Sequence, residues 1–474
     1  MKRSLIFCWI LLLVPSAVTC LHAQEKPKRP NILFILADDM GYGDPHTFNA
    51  NSQIPTPHLD RLAASGARFT DAHSGGSVCV PSRYALMTGR FAVRGEMNPR
   101  KGPVIDQERM TVPAMLKANG YQTAMVGKWH LGFVRTDDDN AVMYDYSQPL
   151  TGGPADRGFD SFFGMHASLD IPPYFYIRDR QPTSPPTETI EAHDSVGGPQ
   201  NWNNIQGAFW REGFIGSDFE MEQVTPRFTD ETTKYLKNYA DGERKKPFFC
   251  YLALPSPHTP WLPLEKYRGK SGAGMYGDFV MQVDDTVGQI ISALEKTGLR
   301  DNTLVFFSSD NGPVWYDKDT ERFDHSSTGG LRGMKFSSWE GGHRMPFIAS
   351  WPGTIEPNTT CEQTIVFSDM FATLAELTGA EDLPESAGED SVSFLPYLLD
   401  PKKPPSERPP IVHDGRTIRD GDWKLILPGG RRRNESSGEL YNLKEDLFEQ
   451  HNLYQKQPER VQRMKDRLNA IMKS

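Results

Sequence analysis

Two pairs of oxygen-bearing side chains are candidate metal ligands. Asp38 and Asp39 follow one apolar run of the chain, and Asp310 and Asn311 follow another. Carboxylate and amide oxygens are hard donors, which suit Ca²⁺ or Mg²⁺ rather than a soft metal. Three carboxylates packed together would also repel one another without a cation. We predict one calcium ion here; the alternative is that the first pair caps a helix and the second forms a turn.

Four basic or imidazole side chains could act beside such a metal. Lys128 and Lys335 could neutralise the oxygens of a bound anion as point charges. His130 and His258 could transfer protons, because imidazole titrates near neutral pH. Taken singly, a lysine is usually solvated and a histidine is usually structural. A functional role is therefore expected only if the fold brings them to the acidic residues.

Cys79 begins a further candidate segment, Cys79-Val80-Pro81-Ser82-Arg83. Pro81 suits the start of a helix, and Gly89 could end it. Cys79 would then lie at a helix N-terminus, where free N–H groups favour an anion. Gly75 and Gly76 would let the backbone approach a ligand closely. The alternative is a small buried cysteine that precedes a helix.

Continuous apolar runs place these residues. Each run suits a strand buried on both faces of a parallel sheet, and helical patterns lie between the runs. The alternation predicts an α/β fold, with a large doubly wound, mostly parallel sheet flanked by helices. Because ligands bind at the carboxyl ends of such strands, the polar side chains should converge there. The runs are residues 32–37, 123–126, 248–254 and 304–307, and the helical patterns are residues 110–119 and 283–294.

The pattern changes near residue 385. Residues 24–385 are predicted to form the catalytic α/β domain, in which residues 134–225 make long excursions over the strand ends. Residues 386–474 are predicted to form a smaller α+β domain. Within it, residues 417–419 and 423–427 read as antiparallel strands, and residues 459–472 read as a final helix.

The first 23 residues have the pattern of a secretory signal peptide. Lys2 and Arg3 precede an apolar stretch at residues 5–14, and small residues lead to Ala23. We expect cleavage after Ala23 and export to the periplasm or the exterior. A membrane anchor is one alternative, and a lipoprotein signal ending at Cys20 is another. No later segment is apolar enough to span a bilayer in the mature chain.

Composition narrows the choice of partners and redox chemistry. A net charge of −9 argues against a nucleic-acid partner, which would favour a basic face. Beyond the signal segment only Cys79, Cys250 and Cys361 remain, so at least one thiol is unpaired. Whether Cys250 pairs with Cys361 stays open at this point.

The segment around Cys79, followed by Thr88-Gly89-Arg90, resembles the signature of the type I sulfatase family in the alkaline phosphatase-like superfamily. In that signature the cysteine is oxidised to Cα-formylglycine. The likeness runs in order from about residue 30 to about residue 455, and the chain looks like a bacterial carbohydrate or aryl sulfatase. Further matching blocks are Pro30-Asn31-Ile32, Asp38-Asp39-Met40-Gly41, Gly127-Lys128-Trp129-His130-Leu131-Gly132, Pro257-His258-Thr259-Pro260, Ser309-Asp310-Asn311-Gly312, Leu331-Arg332-Gly333-Met334-Lys335 and Trp339-Glu340-Gly341-Gly342.

The resemblance implies a sulfuric ester hydrolase that is matured by a formylglycine-generating enzyme. In this reading the hydrated aldehyde at position 79 attacks sulfur, His258 protonates the departing alcohol, and His130 removes a proton as sulfate leaves. Arg83 would fix the hydrated aldehyde, and Lys128, His258 and Lys335 would contact the sulfate. The implied calcium ligands are Asp38, Asp39, the modified Cys79, Asp310 and Asn311.

The substrate is indicated less strongly. Residues 168–174 look like loops of carbohydrate sulfatases, including those that act on galactose or N-acetylgalactosamine 6-sulfate. Asp170 is a candidate hydrogen-bond partner for a sugar hydroxyl, although a plain loop carboxylate is an equal reading. Trp129 and Tyr174 are candidates to stack on a sugar ring, and Trp129 could equally belong to the core.

Two rival functions remain. A phosphate or phosphonate ester hydrolase on the same fold would keep the metal ligands. A non-catalytic, calcium-dependent glycan-binding protein would keep Cys79 as a thiol. The complete set of lysine, histidine and metal positions argues against the second, since a binder would not need them all.

Overall fold

The computed structural model describes residues 29–136, 143–198, 201–429 and 437–473. The expected signal peptide, residues 1–23, lies outside the described residues. Among the helices of the described part, none is long and apolar enough to cross a membrane.

A ten-stranded mixed sheet forms the centre of the large domain. Five neighbouring strands in its middle are parallel, and antiparallel pairings join further strands on both sides. The predicted parallel core is therefore confirmed, within a sheet of mixed direction. In spatial order the strands are β13 (Thr359–Cys361), β2 (Ala67–Phe69), β12 (Phe347–Ser350), β11 (Thr303–Ser309), β1 (Asn31–Ala37), β10 (Phe248–Ala253), β4 (Gln122–Lys128), β5 (Ser161–Met165), β6 (Ile177–Arg178) and β7 (Gln181–Pro182).

Helices cover both faces of this sheet. On one face α2, α3 and α8 pack with Ile32, Phe34 and Leu36 of β1, and on the other α1, α4 and α5 pack with Leu33 and Ile35. Burial on both faces explains the continuous apolar run. The helices are α1 (Pro57–Ala64), α2 (Cys79–Thr88), α3 (Val112–Ala118), α4 (Val224–Asp241), α5 (Gly274–Lys296), α6 (Asp317–Phe323), α7 (Glu340–His343), α8 (Asp369–Thr378), α9 (Leu395–Leu399) and α10 (Pro458–Lys473). Short 3-10 turns lie at Ala92–Arg94, Pro154–Asp156, Met221–Gln223, Glu265–Tyr267 and Arg300–Asn302.

The smaller C-terminal unit is a four-stranded antiparallel sheet covered by α10. Alternate strand residues such as Ile418, Leu425 and Leu440 pack against Val461 and Leu468 of the helix. The two predicted strands and the final helix are thus present. The strands are β15 (Ile411–Asp414), β16 (Thr417–Asp420), β17 (Trp423–Ile426) and β18 (Glu439–Asn442).

The excursion between residues 134 and 225 has more structure than its sequence suggested. Its described part contributes β5, β6 and β7 to the central sheet, and β8 (Glu188–Ile190) pairs with β9 (Gly213–Ile215). β3 (Ala72–His73) pairs with β14 (Ile365–Val366) near the small unit. These strands are too short for a periodic signal to stand out.

Candidate active site

The polar residues predicted from the strand ends converge. β11, β1, β10 and β4 are consecutive and parallel, so their carboxyl ends lie side by side. Asp38 and Asp39 follow β1, Asp310 and Asn311 follow β11, and Lys128 is the last residue of β4. His258 follows β10 after a short loop. The sheet order itself thus assembles one site.

The acidic side chains form a buried cluster linked by hydrogen bonds. The Asp39 backbone N–H donates to Asp310 Oδ1 at 3.1 Å, and Asn311 Nδ2 donates to Asp39 Oδ1 at 2.6 Å. Asp39 adopts a left-handed backbone with φ of 64°, which is uncommon outside glycine and marks a tightly determined position. Burial, followed by the Asp38 carboxylate, raises the pKa of Asp310.

Three cationic side chains are interleaved with the three carboxylates. Arg83 Nη2 lies 2.8 Å from Asp310 Oδ2, Lys128 Nζ lies 2.5 Å from Asp38 Oδ2, and Lys335 Nζ lies 2.7 Å from Asp39 Oδ1. Carboxylate repulsion alone therefore does not require a metal, contrary to our expectation from the sequence. Three negative and three positive charges leave the cluster near neutral, so a divalent cation would make it attractive to an anion.

The residues nevertheless fit a calcium ion. Asn311 Oδ1 is buried and has no hydrogen-bond donor among the described residues. Asp38, Asp39, Cys79 and His258 each offer a ligand atom, and these atoms lie within 4.8 Å of one another. The donors nearest Asn311 are carboxylate oxygens, which suit a hard ion. A cation placed among them would satisfy the unpartnered amide oxygen.

Cys79 is the first residue of α2, as its sequence predicted, and Gly89 ends the helix in a left-handed conformation. The Cys79 sulfur lies 3.5 Å from Asp38 Oδ1 and 3.6 Å from Lys335 Nζ. Burial, followed by the Asp310 carboxylate, raises the pKa of the thiol. The unmodified thiol therefore stays protonated, which makes it a poor nucleophile.

The glycines before Cys79 do not serve a ligand as we expected. A Cβ on Gly75 would lie 2.3 Å from the Ala85 Cβ, and one on Gly76 would lie 3.1 Å from the Pro81 ring. Both glycines thus allow the chain to pack closely against α2. They hold the first turn of the helix, and so Cys79, in place.

The two candidate proton-transfer histidines differ in their surroundings. His258 Nδ1 lies 2.6 Å from the Thr259 carbonyl oxygen and donates to it, which leaves Nε2 facing Asp39 Oδ2 at 3.6 Å. His130 has a left-handed backbone, and its Nδ1 has no partner among the described residues. Burial, followed by Lys128 and Arg83, lowers the pKa of His130, so its ring is neutral and able to accept a proton.

A cavity of about 110 Å³ opens beside the cluster. Asp39, His258 and Lys335 line it on the side of the acidic cluster. Asp170 and Arg211 line it elsewhere, with Arg211 Nη1 2.5 Å from Asp170 Oδ2 and Asp170 Oδ1 4.0 Å from His258 Nδ1. The cavity is thus charged at the cluster and joined to it through a polar chain.

The sequence gave no signal for two cavity residues, Arg211 and Phe336. Arg211 lies in a segment without periodicity, and its ion pair with Asp170 spans 41 residues. Phe336 is 48% exposed and has a φ of 73°. An exposed aromatic side chain directly after Lys335 could have been noticed, although exposure cannot be read from sequence.

The expectation that Trp129 and Tyr174 stack on a sugar is wrong. Trp129 is buried in the core and its Nε1 donates to the Gly132 carbonyl oxygen. Tyr174 is also buried, and its hydroxyl donates to the Arg211 carbonyl oxygen. Cys250 and Cys361, whose pairing was open, are both free and buried.

Comparison with known proteins agrees with this geometry. The sulfatase family model matches residues 30–380. The N-acetylgalactosamine-6-O-sulfatase of Bacteroides thetaiotaomicron is 32% identical, covering 94% of each chain. The human N-acetylgalactosamine-6-sulfatase is 31% identical over 84% of this chain and 70% of its own. A solved structure from Bacteroides thetaiotaomicron, described with the metabolism of multiple glycosaminoglycans, superposes with a TM-score of 0.81 at 29% identity, over 94% of this chain and all of the other.

The match covers the four strand ends, Cys79 and Lys335, and it leaves the C-terminal sheet as the main region beyond the family model. The fold and the arrangement of the acidic and basic side chains were both derived before it. The chain belongs to the sulfatase family and is a sulfuric ester hydrolase.

Proposed function

We propose that this enzyme removes the 6-O-sulfate from a galactose or N-acetylgalactosamine unit of a sulfated glycan. It does so with formylglycine at position 79 and one calcium ion. The names of two relatives support the sugar and the position of the sulfate. The cavity supports a sugar substrate, because it joins charged groups for the sulfate to an ion pair and an exposed aromatic ring.

One observation carries the reaction class. The side chain at position 79 lies at a helix N-terminus, within 3.6 Å of both an acidic and a basic partner. A nucleophile in that place can approach an anionic ester whose charge the helix dipole and Lys335 offset. A thiol with a raised pKa would not perform this step, which is why a modified residue fits the position better.

The calcium ligands in this proposal are Asp38, Asp39, Asp310, Asn311 and the modified side chain at position 79. When bound, the ion supplies positive charge beside the sulfuryl oxygens. Lys335 lines the cavity, so it is placed to contact the sulfate directly. Lys128 is fully buried against Asp38 and supplies charge from behind that carboxylate. Arg83 holds Asp310 and orients the group at position 79.

The two histidines have distinct proposed roles. His258 lines the cavity and keeps Nδ1 bound to a backbone carbonyl, so Nε2 is the atom that would deliver a proton to the departing alcohol. His130 is neutral and has an unpartnered nitrogen, so it would accept a proton as sulfate is released.

Asp170 and Arg211 are the proposed sugar-recognition pair. Asp170 Oδ1 is buried and has no hydrogen-bond partner among the described residues, so a sugar hydroxyl could donate to it. Arg211 holds the other carboxylate oxygen, which fixes the direction of Oδ1. Phe336 presents an aromatic face at the mouth of the cavity, where the apolar face of a hexose could pack.

Maturation and location complete the proposal. The segment from Cys79 to Arg83 would be read by a formylglycine-generating enzyme before or during folding, because Cys79 is buried afterwards. The N-terminal pattern described above would direct the protein to the periplasm or the exterior, where sulfated glycans are met.

The test is sulfate release from a panel of esters by protein produced together with the maturation enzyme. The panel contains N-acetylgalactosamine 6-sulfate, its 4-sulfate isomer, galactose 6-sulfate and matched phosphate and phosphonate esters. We expect the 6-sulfates to have the highest kcat/KM. Faster turnover of the phosphate or phosphonate esters would instead favour the rival hydrolase. Calcium-dependent glycan binding without any turnover would favour the rival binding protein.

A further inference from the structure

Three histidines meet behind the active site, where the two domains join. His73 lies in β3, His343 ends α7 and His413 lies in β15 of the small sheet. Each offers a ring nitrogen, and these three atoms lie within 4.8 Å of one another. All three side chains are buried. This three-histidine cluster (His73, His343 and His413) has no part in the reaction proposed above.

The outer nitrogens of two of these rings have acceptors. His73 Nε2 lies 2.8 Å from Asp71 Oδ1, and His343 Nε2 lies 3.2 Å from the Ser338 carbonyl oxygen. If both outer nitrogens donate, both Nδ1 atoms carry lone pairs, and these atoms face each other at 3.0 Å. A histidine that donates one N–H to a carboxylate while its other nitrogen faces inward is the usual arrangement around a bound metal.

The third histidine is the observation that hydrogen bonding does not explain. His413 is only 4% exposed, yet neither ring nitrogen has a partner among the described residues. Its ring stacks on His343 with centroids 3.8 Å apart. A buried polar group without a partner costs about 1–3 kcal/mol, so an unfilled site here would be unfavourable.

We propose that the three-histidine cluster binds one divalent transition ion of the zinc class, distinct from the calcium ion of the active site. Imidazole nitrogens suit such ions, whereas calcium and magnesium favour oxygen. At zinc–nitrogen distances of about 2.0–2.1 Å, two tetrahedral ligands stand roughly 3.3 Å apart. The His73 and His343 nitrogens need to separate by only a few tenths of an ångström to reach that distance.

The surrounding charges can accommodate the ion. Three carboxylates and three cations surround the rings, and the groups are Asp71, Glu340, Glu449, Arg344, Arg419 and Lys424. Lys424 Nζ lies 3.0 Å from His343 Nε2, but it also binds Glu340 and Glu449 and keeps those partners when that nitrogen donates elsewhere. Arg419 approaches His73 Nε2 at 2.8 Å and is held by Asp71. Burial lowers the pKa of all three histidines, which keeps the rings neutral and able to bind a metal.

A metal-free alternative uses the same atoms. Lys424 would donate to His343, His343 Nδ1 to His73 Nδ1, and His73 Nε2 to Asp71. This chain satisfies two rings and leaves His413 without a partner. The unsatisfied His413 is therefore what favours the metal over the hydrogen-bonded chain.

A metal at this cluster would join three segments. β3 leads into the loop before Cys79, α7 follows the Lys335 segment, and β15 belongs to the C-terminal sheet. The ion would fix the small sheet to the structure that carries the nucleophile. Its role would be structural, so removing it should lower the melting temperature even for protein without a substrate.

The test uses the full-length protein, dialysed against a chelator and then supplied with calcium. We expect wild type to bind one equivalent of Zn²⁺ by calorimetry and to gain thermal stability. Co²⁺ in its place should give the visible absorption of tetrahedral coordination. His413→Phe keeps the stacked ring but removes both nitrogens, and zinc affinity should fall at least ~100-fold, since even supporting residues cost 10–100-fold. Asp310→Asn is the matched control, which should bind zinc as wild type does.

Two results would overturn the proposal. One is folded, calcium-loaded wild type that binds no zinc or cobalt, and this outcome would leave the hydrogen-bonded chain as the correct description. The other is unchanged zinc affinity in His413→Phe. If that variant does not fold, X-ray absorption of zinc-loaded wild type decides, since the proposal requires three nitrogen ligands and any other set contradicts it.

Discussion

The guanidinium of Arg83 lies 2.8 Å from the carboxylate of Asp310, and both side chains are buried. Arg83 comes from the first helical turns after Cys79, whereas Asp310 ends the strand next to β1. The pair therefore ties the nucleophile's helix to the proposed metal ligands.

Replacing Arg83 with methionine should destabilise the calcium-free protein by about 3–5 kcal/mol, because a buried carboxylate loses its partner. Chemical denaturation in chelator measures this effect. The double variant Arg83→Met/Asp310→Asn should recover part of the loss, because its buried acid is gone as well. Strictly additive effects of the two substitutions would contradict the pairing.

Asp310→Asn should weaken calcium binding at least ~10- to 100-fold, since a direct ligand matters no less than the groups that support ligands. Turnover should fall with it at limiting calcium. Calorimetric titration provides the measurement. Asp170→Asn is the control, because Asp170 lies in the sugar pocket and is expected to leave calcium affinity unchanged. Equal calcium affinity in wild type and Asp310→Asn would refute the ligand assignment.

Phe336→Ala should raise KM for a 6-sulfated sugar roughly 2- to 10-fold, because an aromatic contact contributes about 0.5–1.5 kcal/mol beyond its buried area. The value of kcat should change little, since the ring lies at the mouth of the cavity. Phe336→Tyr retains an aromatic face and should behave as wild type. Steady-state kinetics on both variants is the check, and an unchanged KM in Phe336→Ala would remove Phe336 from substrate binding.

Stability should decline as pH falls from about 6.5 to about 4, in part because of His166. Burial lowers the pKa of His166 to about 4, so the unfolded state binds a proton in this window and the folded state does not. The contribution is full above pH 6.5 and is lost as the pH falls towards 4. His166→Gln should reduce the slope of unfolding free energy by at most about 1.4 kcal/mol per pH unit. Identical slopes in denaturation series of the two proteins would count against this assignment.

The core of the site could be predicted because it depends on local signals. Continuous apolar runs identify buried parallel strands, and the residues that follow such strands must meet at one edge of the sheet. Asp38, Asp310 and Lys128 were placed by this reasoning alone. Cys79 was placed by the proline and glycine that bound its helix.

The remaining features depend on contacts between distant segments. Arg211 reaches Asp170 from a region without periodicity, and the three-histidine cluster joins residues 73, 343 and 413. No spacing in the sequence indicates such meetings. The interleaving of Arg83, Lys128 and Lys335 with the carboxylates was likewise invisible, because it depends on side-chain directions within the folded site.

The most direct test of the account is the chemical state of residue 79 together with activity in the same sample. Protein made with the maturation enzyme is digested, the peptide that contains position 79 is analysed by mass spectrometry, and sulfate release from N-acetylgalactosamine 6-sulfate is measured in parallel. We predict an aldehyde in place of the thiol, with turnover proportional to the converted fraction and absent in a folded Cys79→Ala variant. An unmodified thiol with full activity, or complete conversion without sulfate release from any sulfated sugar, would contradict the account.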